Sequence, residues 1–328
     1  MRIFRHFDTL ADDARGAAVA IGNFDGVHPG HRAVINEAGL IARAEGVPWA
    51  VLTFEPHPRQ LFLPNQAPFR LTPFRAKARA IEAMGVDLLI VQRFNKAFSE
   101  MAAENFVRSA LVRGLGAHHV VSGYDFVFGH NRGGHCDLLL AMGEKEGFGF
   151  TATTALVDDS GEPYSSTRVR ERLKAADPAG AAKILGRDFE LSGRIAHGER
   201  RGRDLGFPTA NIHLGRYIRP TNGVYAVRAQ IEGEENQPWR DGVANIGVRP
   251  TFGGDGIVLE VFLFDFDQDL YGKRLHVRLI DYLRGEKKFD GLDPLKAQIA
   301  LDTVSARKIL AATGEDNKRR EAAKPRQG

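Results

Sequence analysis

Cysteine is almost missing: the 328 residues contain one, Cys136. A single thiol excludes an internal disulfide and fits a reducing compartment. Long apolar runs are missing too. No stretch of about 18 uncharged apolar residues occurs, as a membrane span would require. The opening Met1-Arg2-Ile3-Phe4-Arg5-His6 leads into no apolar signal region. The expectation is a soluble, cytoplasmic protein with no membrane partner. A large excess of charge of either sign is missing as well, with 45 Lys/Arg against 41 Asp/Glu. The net charge is +4, and half of it comes from the residues after Thr313, where five Lys/Arg face three acids. A nearly neutral body with a short basic tail leaves no electrostatic footprint for DNA or RNA, so no nucleic-acid partner is expected. Internal repeats are absent. The length suggests two domains, and the 43% hydrophobic content is ordinary for a globular protein.

What stands out against this background is Gly22-Asn23-Phe24-Asp25-Gly26-Val27-His28-Pro29-Gly30-His31. It follows the apolar run Ala17 to Ile21 and precedes Arg32 to Glu45, where Val34, Ile35, Ala38, Ile41 and Ala42 recur with helical period. The stretch reads as strand, glycine-rich turn, helix. Free N–H groups and the positive end of the helix dipole then face whatever sits above the turn, which suits a phosphate. Gly22, Asn23, Phe24 and Gly30 are the candidate phosphate-binding residues of the turn. His28 and His31 can reach the same phosphate and stabilise charge on a phosphoryl group under attack. The stretch lacks the Lys-Ser/Thr of a P-loop and is not Gly-x-Gly-x-x-Gly. It resembles the His-x-Gly-His signature of nucleotidylyltransferases. Zinc ligation, or a plain helix cap at His31, are the alternatives for those histidines.

Elsewhere in the first half, strands and helices alternate. Trp49 to Phe54 reads as a buried strand ending in Glu55-Pro56-His57-Pro58. Thr72 is placed as the cap of a helix running to about Met84, with Pro73 at its first position. Strands follow at Asp87 to Gln92, His118 to Ser122 and Gly149 to Leu156, with helices near Ala102 to Val112 and Asp137 to Glu146 between them. The alternation predicts right-handed βαβ units in a doubly wound parallel sheet, with ligands beyond the carboxyl ends of the strands. After a short helix, Asp177 to Leu185, the pattern changes. Segments Phe189 to Ala196, Val224 to Ile231, Gly242 to Ile246, Val258 to Phe266 and Leu275 to Leu283 predict an antiparallel sandwich or barrel, closed by a helix from Pro294 to Ala311. The expected division is 1–186, 187–313 and a basic, disordered tail at 314–328.

Several further stretches could carry chemistry. Gly123-Tyr124-Asp125-Phe126-Val127-Phe128-Gly129 combines a carboxylate with flat rings; its plain reading is a turn whose phenylalanines enter the core. Ser165-Ser166-Thr167-Arg168-Val169-Arg170 opens a helix and offers hydroxyls and guanidinium donors to a triphosphate. His130, His135 and Cys136 lack a fourth ligand at a recognised spacing, so no metal is expected there. In the second half, a loop containing Gly198, Gly202, Arg203 and Gly206 can fold over phosphates. It leads into Phe207-Pro208-Thr209-Ala210-Asn211, where Thr209 and Asn211 supply neutral oxygens suited to Mg²⁺ held jointly with ATP. Alternation puts Glu260 on one strand face with Phe262 and Phe264. That face is either inward, where a carboxylate needs a partner or a job, or outward in water; the pattern leaves both open.

Together these stretches, with Leu270-Tyr271-Gly272-Lys273 and Leu283-Arg284-Gly285-Glu286-Lys287-Lys288-Phe289, resemble the bacterial bifunctional riboflavin kinase/FAD synthetase family from about residue 17 to 311. The resemblance implies an α/β nucleotidylyltransferase domain that adenylylates FMN with ATP, followed by a riboflavin-kinase barrel with a C-terminal helix. It implies His28 and His31 at the transferred phosphate, with Ser166, Thr167 and Arg168 on the ATP. Phe54, Pro56, His57, Pro58, Asp125, Phe126 and Phe128 would lie at the flavin. In the barrel it implies Glu260 as base, Thr209 and Asn211 at Mg²⁺, Pro208 beside the nucleotide, and Arg284, Glu286 and Phe289 near the flavin. Substrates and products would be ATP, riboflavin, FMN and FAD, handled by a monomer or weak homo-oligomer. Two departures occur: Pro163-Tyr164 stands where the family has an apolar residue, often after a basic one, and Ser99 follows Phe98 in place of alanine. A flavin- or nucleotide-binding regulator with decayed catalysis is the rival reading, opposed by intact His28, His31 and Glu260.

Overall fold

The computed structural model describes residues 1–196, 207–234, 236–251 and 254–322. Contacts divide the chain into two compact units, Met1–Ser166 and Thr167–Gly328.

The first unit is built on six strands: β1 (Arg2–Phe4), β2 (Ala18–Ile21), β3 (Trp49–Glu55), β4 (Leu88–Arg93), β5 (His119–Gly123) and β6 (Gly149–Thr153). Its helices are α1 (Pro29–Glu45), α2 (Pro58–Phe62), α3 (Phe74–Glu82), α4 (Lys96–Ser99), α5 (Ala103–Phe106) and α6 (Cys136–Glu146). All strand pairs are parallel, in the order β1-β4-β3-β2-β5-β6. Strands β2 to β4 are apolar almost without interruption because both faces of a parallel sheet are covered. Alternate residues divide between two cores. Val19, Ile21, Leu52 and Phe54 meet Phe106, Leu111 and Leu139 on one side. Ala18, Ala20, Val51 and Leu89 meet Ile35, Ala38 and Ile81 on the other. Helix α1 can approach closely because Gly39 has no side chain; a Cβ there would come 2.7 Å from the Trp49 ring.

From β2 the chain moves through β3 to β4 on one side, then returns to place β5 and β6 on the other. The switch point therefore lies between β2 and β5, where an open α/β sheet leaves a crevice at its carboxyl edge. The turns leaving both strands, at Gly22 and Gly123, open onto it. Two local expectations need correction, and β1, only three residues long, had no sequence signal. The helix expected over Ala102 to Val112 is α5 continuing as a π-helix over Val107–Gly114. Thr72 does not cap α3: Pro73 holds the N-cap position, and the Thr72 hydroxyl is used elsewhere.

The second unit begins within α7 (Ser166–Lys174), followed by α8 (Pro178–Leu185). Strands β7 (Phe189–Ala196), β8 (Thr209–His213), β9 (Gly223–Ile231), β10 (Arg240–Thr251), β11 (Gly254–Leu263) and β12 (Arg274–Arg284) close a barrel in the order β10-β11-β8-β7-β12-β9. Its interior is filled by one face of each strand, including Leu191, Ile212, Val227, Ile246, Leu259 and Leu275. Helix α9 (Leu292–Ala322) lies on the outer face, where Ala306 and Leu310 pack with Val224, Ala226, Val243 and Phe264.

The break in contacts falls some twenty residues before the expected boundary at 186. The reason is α8: Pro178, Ala181, Ile184 and Leu185 are buried, and the helix packs against β7 and β12. Helix α9 also overruns the start of the expected tail, through a stretch rich in the good helix formers Glu, Lys, Arg and Ala. Residues 323–328 lie outside the described residues, as do Gly198, Gly202, Arg203 and Gly206 of the predicted nucleotide loop.

A fragment starting at Thr167 is expected to unfold in one cooperative transition. A fragment starting at residue 187 loses Ile184 and Leu185, each worth about 1.5–3 kcal/mol when buried, and should be weaker by about 3–6 kcal/mol in urea denaturation. Equal midpoints and slopes for the two fragments would contradict the role given to α8.

Candidate active sites

At the carboxyl end of β2 the chain makes the glycine-rich turn predicted from sequence. Gly22 permits a close approach, since a Cβ there would lie 2.8 Å from the Phe24 ring, which is itself buried. Phe24, Gly26 and Val27 all take positive φ, so the turn is tightly wound. His28 then caps α1, its Nδ1 accepting the backbone N–H of His31 at 3.3 Å. That bond leaves Nε2 to carry the proton of the neutral ring, and hence to act as a donor. The two imidazoles stack, with centroids 3.6 Å apart and planes at 22°. The Phe24 ring meets His31 edge-on at 5.4 Å. His28 and His31 are thus brought together at a helix N-terminus, the arrangement expected for holding an anion. Ser166 joins them, its hydroxyl donating to the Asp25 carbonyl at 2.7 Å. Thr167 and Arg168 continue α7 as the first residues of the second unit.

Beneath the turn lies a cluster of four charges that sequence reasoning missed. Asp25 accepts the N–H groups of Leu71 and Thr72 at 3.1 and 2.9 Å. Arg70 grips Glu55 with two bonds of 3.0 and 2.7 Å, and its Nε lies 3.5 Å from Asp25. Lys77 donates to the Asn23 carbonyl at 2.9 Å and to Thr53 Oγ1 at 3.0 Å, and pairs with Glu55 at 3.0 Å. The Thr72 hydroxyl takes the Gly26 N–H at 2.8 Å. Lys77 is 0% exposed, Arg70 1% and Asp25 2%. Burial pushes the Lys77 ammonium down to about 8, against the pull of Glu55 in the other direction. Burial would raise the Glu55 carboxyl, but Arg70 and Lys77 overcome it and hold it below its ordinary value. One signal for this cluster was present in the sequence: Phe74, Lys77, Ala78 and Ile81 share one helical stripe, so a lysine sits on an apolar face. Arg70 had no such signal.

The expected flavin contacts of this unit separate into two groups. Phe54 and Phe128 are core residues, packed with Phe106. The plain reading of the 123–129 turn therefore holds for Phe128. Phe126 stacks on Phe128 at 5.5 Å and is half-buried, while Asp125 is exposed. Pro56 and Pro58 flank His57, which caps α2 by accepting the Arg59 N–H at 3.2 Å and meets Phe69 edge-on. These polar and aromatic groups stand at the ends of β3 and β5, on either side of β2.

In the barrel, neither simple alternative for Glu260 applies. Leu259, Val261 and Leu263 fill the interior, so Glu260 and Phe262 face outward. Yet the outer face is covered there. Glu260 and Phe262 line a cleft of about 780 Å³, closed by the 284–291 loop and the start of α9. Asn211, Glu260 and Asn245 stand in one cross-strand row, and Thr209, Phe262 and Val243 in the next. Paired residues share a face, so the predicted Thr209, Asn211 and Glu260 converge. Thr209 also lines a second cavity of about 270 Å³, together with Pro208, Asn211, Asp267, Asp269 and Tyr271. Asn245 is the residue of this site that alternation alone could have suggested but did not. At the rim of the larger cleft, Arg284 is locked to the buried Asp302 by bonds of 2.9 and 2.7 Å, with its guanidinium over Phe289. Glu286 accepts a bond from the Asn222 amide at 3.3 Å.

Known proteins resemble the chain on both units. The family model for FAD synthetase matches residues 10–168, and that for riboflavin kinase matches 185–310. A parallel-sheet unit carrying the histidine turn, followed by a barrel with its own cleft, defines a two-domain transferase of flavin-cofactor synthesis. The bifunctional riboflavin kinase/FMN adenylyltransferase of Escherichia coli K12 is 42% identical over 314 residues, 95% of this chain and 99% of its own. That of Pseudomonas fluorescens is 44% identical over 312 residues, 95% and 98% of the two chains. The chain belongs to the bifunctional riboflavin kinase/FMN adenylyltransferase family. A crystal structure from Streptococcus pneumoniae, named a macrolide-efflux protein, also matches with a TM-score of 0.80 at 28% identity, covering 93% of this chain and 98% of that one. Among the described residues, no helix is long and apolar enough to cross a membrane.

Because Lys77 holds its proton less tightly when folded than when unfolded, the unfolded chain binds more protons between pH 8 and about 10.5. Stability of the first unit should therefore gain an upward component as pH rises through that window. Comparing denaturation of the wild type with Lys77→Met across this range isolates it: the wild type should gain relative to the variant. Parallel pH profiles would mean that Lys77 titrates at its ordinary value.

Proposed function

We propose that this chain makes FAD in two steps, phosphorylating riboflavin to FMN in the barrel unit and adenylylating FMN in the parallel-sheet unit. The family supports both activities, and the observation that carries the reading is the stacked His28–His31 pair at the N-terminus of α1, at the sheet's switch point. The domain limits proposed are 1–186 for adenylyl transfer and 187–313 for the kinase, within a cytoplasmic protein that is a monomer or weak homo-oligomer and takes no nucleic-acid partner.

In adenylyl transfer, an FMN phosphate oxygen attacks the α-phosphorus of ATP, and the bond to the β-phosphate oxygen breaks to release pyrophosphate. The His28 Nε2–H, His31 and the first N–H groups of α1 donate to the oxygens on which charge builds. Gly22, Asn23, Phe24, Gly30, Ser166, Thr167 and Arg168 bind the nucleotide. Pro56, His57, Pro58, Asp125 and Phe126 border the flavin. The burial of Phe54 and Phe128 favours support of that wall over direct contact.

In the kinase, the terminal ribityl hydroxyl attacks the γ-phosphorus of ATP, its proton passes to the Glu260 carboxylate, and ADP leaves. A cavity of about 780 Å³ is in the size range of small-molecule sites. Arg284, Glu286 and Phe289 border the flavin there, and the nucleotide is the role proposed for Gly198, Gly202, Arg203, Gly206 and Pro208. The donor set around Thr209 fits Mg²⁺. Thr209 and Asn211 offer neutral oxygens on one strand face beside Glu260, and among the described residues no cluster of three His, Cys, Asp or Glu could hold a metal by itself. Thr209 and Asn211 would hold Mg²⁺ there jointly with ATP. When bound, Mg²⁺ neutralises charge developing on the phosphates.

Two variants separate the steps. His28→Ala/His31→Ala should reduce FAD formation from FMN by more than about 10²–10³-fold, the usual loss for one preorganised donor, and spare FMN formation. Glu260→Gln should lower FMN formation at least about a hundredfold and spare FAD formation from supplied FMN. Near-normal kinase turnover in Glu260→Gln, or equal loss of both activities in the histidine variant, would overturn the assignment.

A further inference from the structure

Lys77 is a lysine in the wrong place for stability. Its helix face otherwise carries Ala78 and Ile81, and its side chain is fully buried. Replacing buried ion pairs by apolar side chains is often neutral or stabilising, so packing alone gives no reason for an ammonium here. What the ammonium does is join two backbone segments. Its three donors reach three oxygens: the Asn23 carbonyl, Thr53 Oγ1 and Glu55. Asn23 stands at the start of the histidine turn, and Glu55 is the last residue of β3, next to Pro56. The turn is gripped again two residues further on, where Asp25 accepts from Leu71 and Thr72, and Gly26 donates to Thr72. Arg70 closes the ring by touching both carboxylates.

We propose that Lys77 is a positioning residue for adenylyl transfer: through the Asn23 carbonyl it fixes the turn that aims His28 and His31, and through Glu55 it sets that turn in register with the end of β3. The inference rests on the reading of His28 and His31 as the adenylyl-transfer pair. Lys77 touches no substrate and acts through backbone geometry, where a displacement of about 1 Å can cost 10²-fold in rate.

The test uses the full-length chain with both activities measured separately. Lys77→Met should lower kcat for FAD formation from FMN and ATP by about ten- to a hundredfold. KM for ATP and FMN should stay within about threefold, and riboflavin phosphorylation should be unchanged. A second variant, Glu55→Gln/Lys77→Met, removes one charge of each sign and leaves Asp25 and Arg70 as a neutral pair. It should recover the melting temperature lost in Lys77→Met but not the kcat, because the donor to Asn23 is still missing. If Lys77→Met does not fold, the double variant carries the test alone. Wild-type kcat in either variant would overturn the inference, since it would make Lys77 a charge-balancing residue only. The His28→Ala/His31→Ala variant is run alongside: full FAD formation there would overturn the underlying reading and this inference with it, whereas its loss together with wild-type kcat in the lysine variants overturns this inference alone.

Discussion

Asp25, Glu55, Arg70 and Lys77 meet at the carboxyl edge of the parallel sheet with little or no access to water. Each alone would be expensive to bury, because an ion loses its hydration and finds nothing comparable in a core. Two of each sign, hydrogen-bonded to one another and to the backbone, offset that penalty as long as the signs balance. The loops that carry them are therefore tied together: the turn after β2, the end of β3, residues 70–72 and the face of α3. The position of His28 follows from this. Its ring caps α1 at the exit of a turn anchored to the cluster through Asn23, Asp25 and Gly26, and its Nδ1 is taken by the His31 N–H.

The barrel solves the same problem in another way. Its interior is packed with apolar side chains such as Leu191, Val227, Leu259 and Leu275, and its polar row, Asn211, Glu260 and Asn245, lies outside. A polar row on an outer face would ordinarily be solvated. Here α9 packs over part of that face and leaves a cleft beside it, so the carboxylate is half-buried without entering the core. The Arg284–Asp302 pair ties the strand that ends at the cleft to the helix that roofs it. The two units thus place these polar groups at an edge and on a covered face, and leave their cores to packing.

Most of this architecture was legible in the residues. Buried strands such as Trp49–Glu55 announce themselves as apolar runs, and the stripe Val34, Ile35, Ala38, Ala42 identifies the face of α1 that packs on the sheet. The histidine turn and the cross-strand set around Thr209 could be read because their residues lie close in sequence or on alternating positions. The rest depended on contacts far apart in the chain. Thr72 looked like a cap because its neighbours suit one, whereas its hydroxyl serves Asp25 and Gly26, 46 to 47 residues away. Whether Glu260 faced core or water was undecidable from alternation, since the answer is set by a helix some thirty residues later. The expected boundary at 186 follows α8, whose apolar face is buried on the strands after it, a contact that the change of pattern does not announce.

That one chain carries both reactions in succession is tested by following flavins by chromatography while the purified full-length protein is incubated with riboflavin, ATP and Mg²⁺. Riboflavin should give way first to FMN and then to FAD, with one pyrophosphate released for each FAD formed. Unchanged riboflavin, with no FAD formed from supplied FMN either, would contradict it and leave a protein that binds flavin or nucleotide without transforming them.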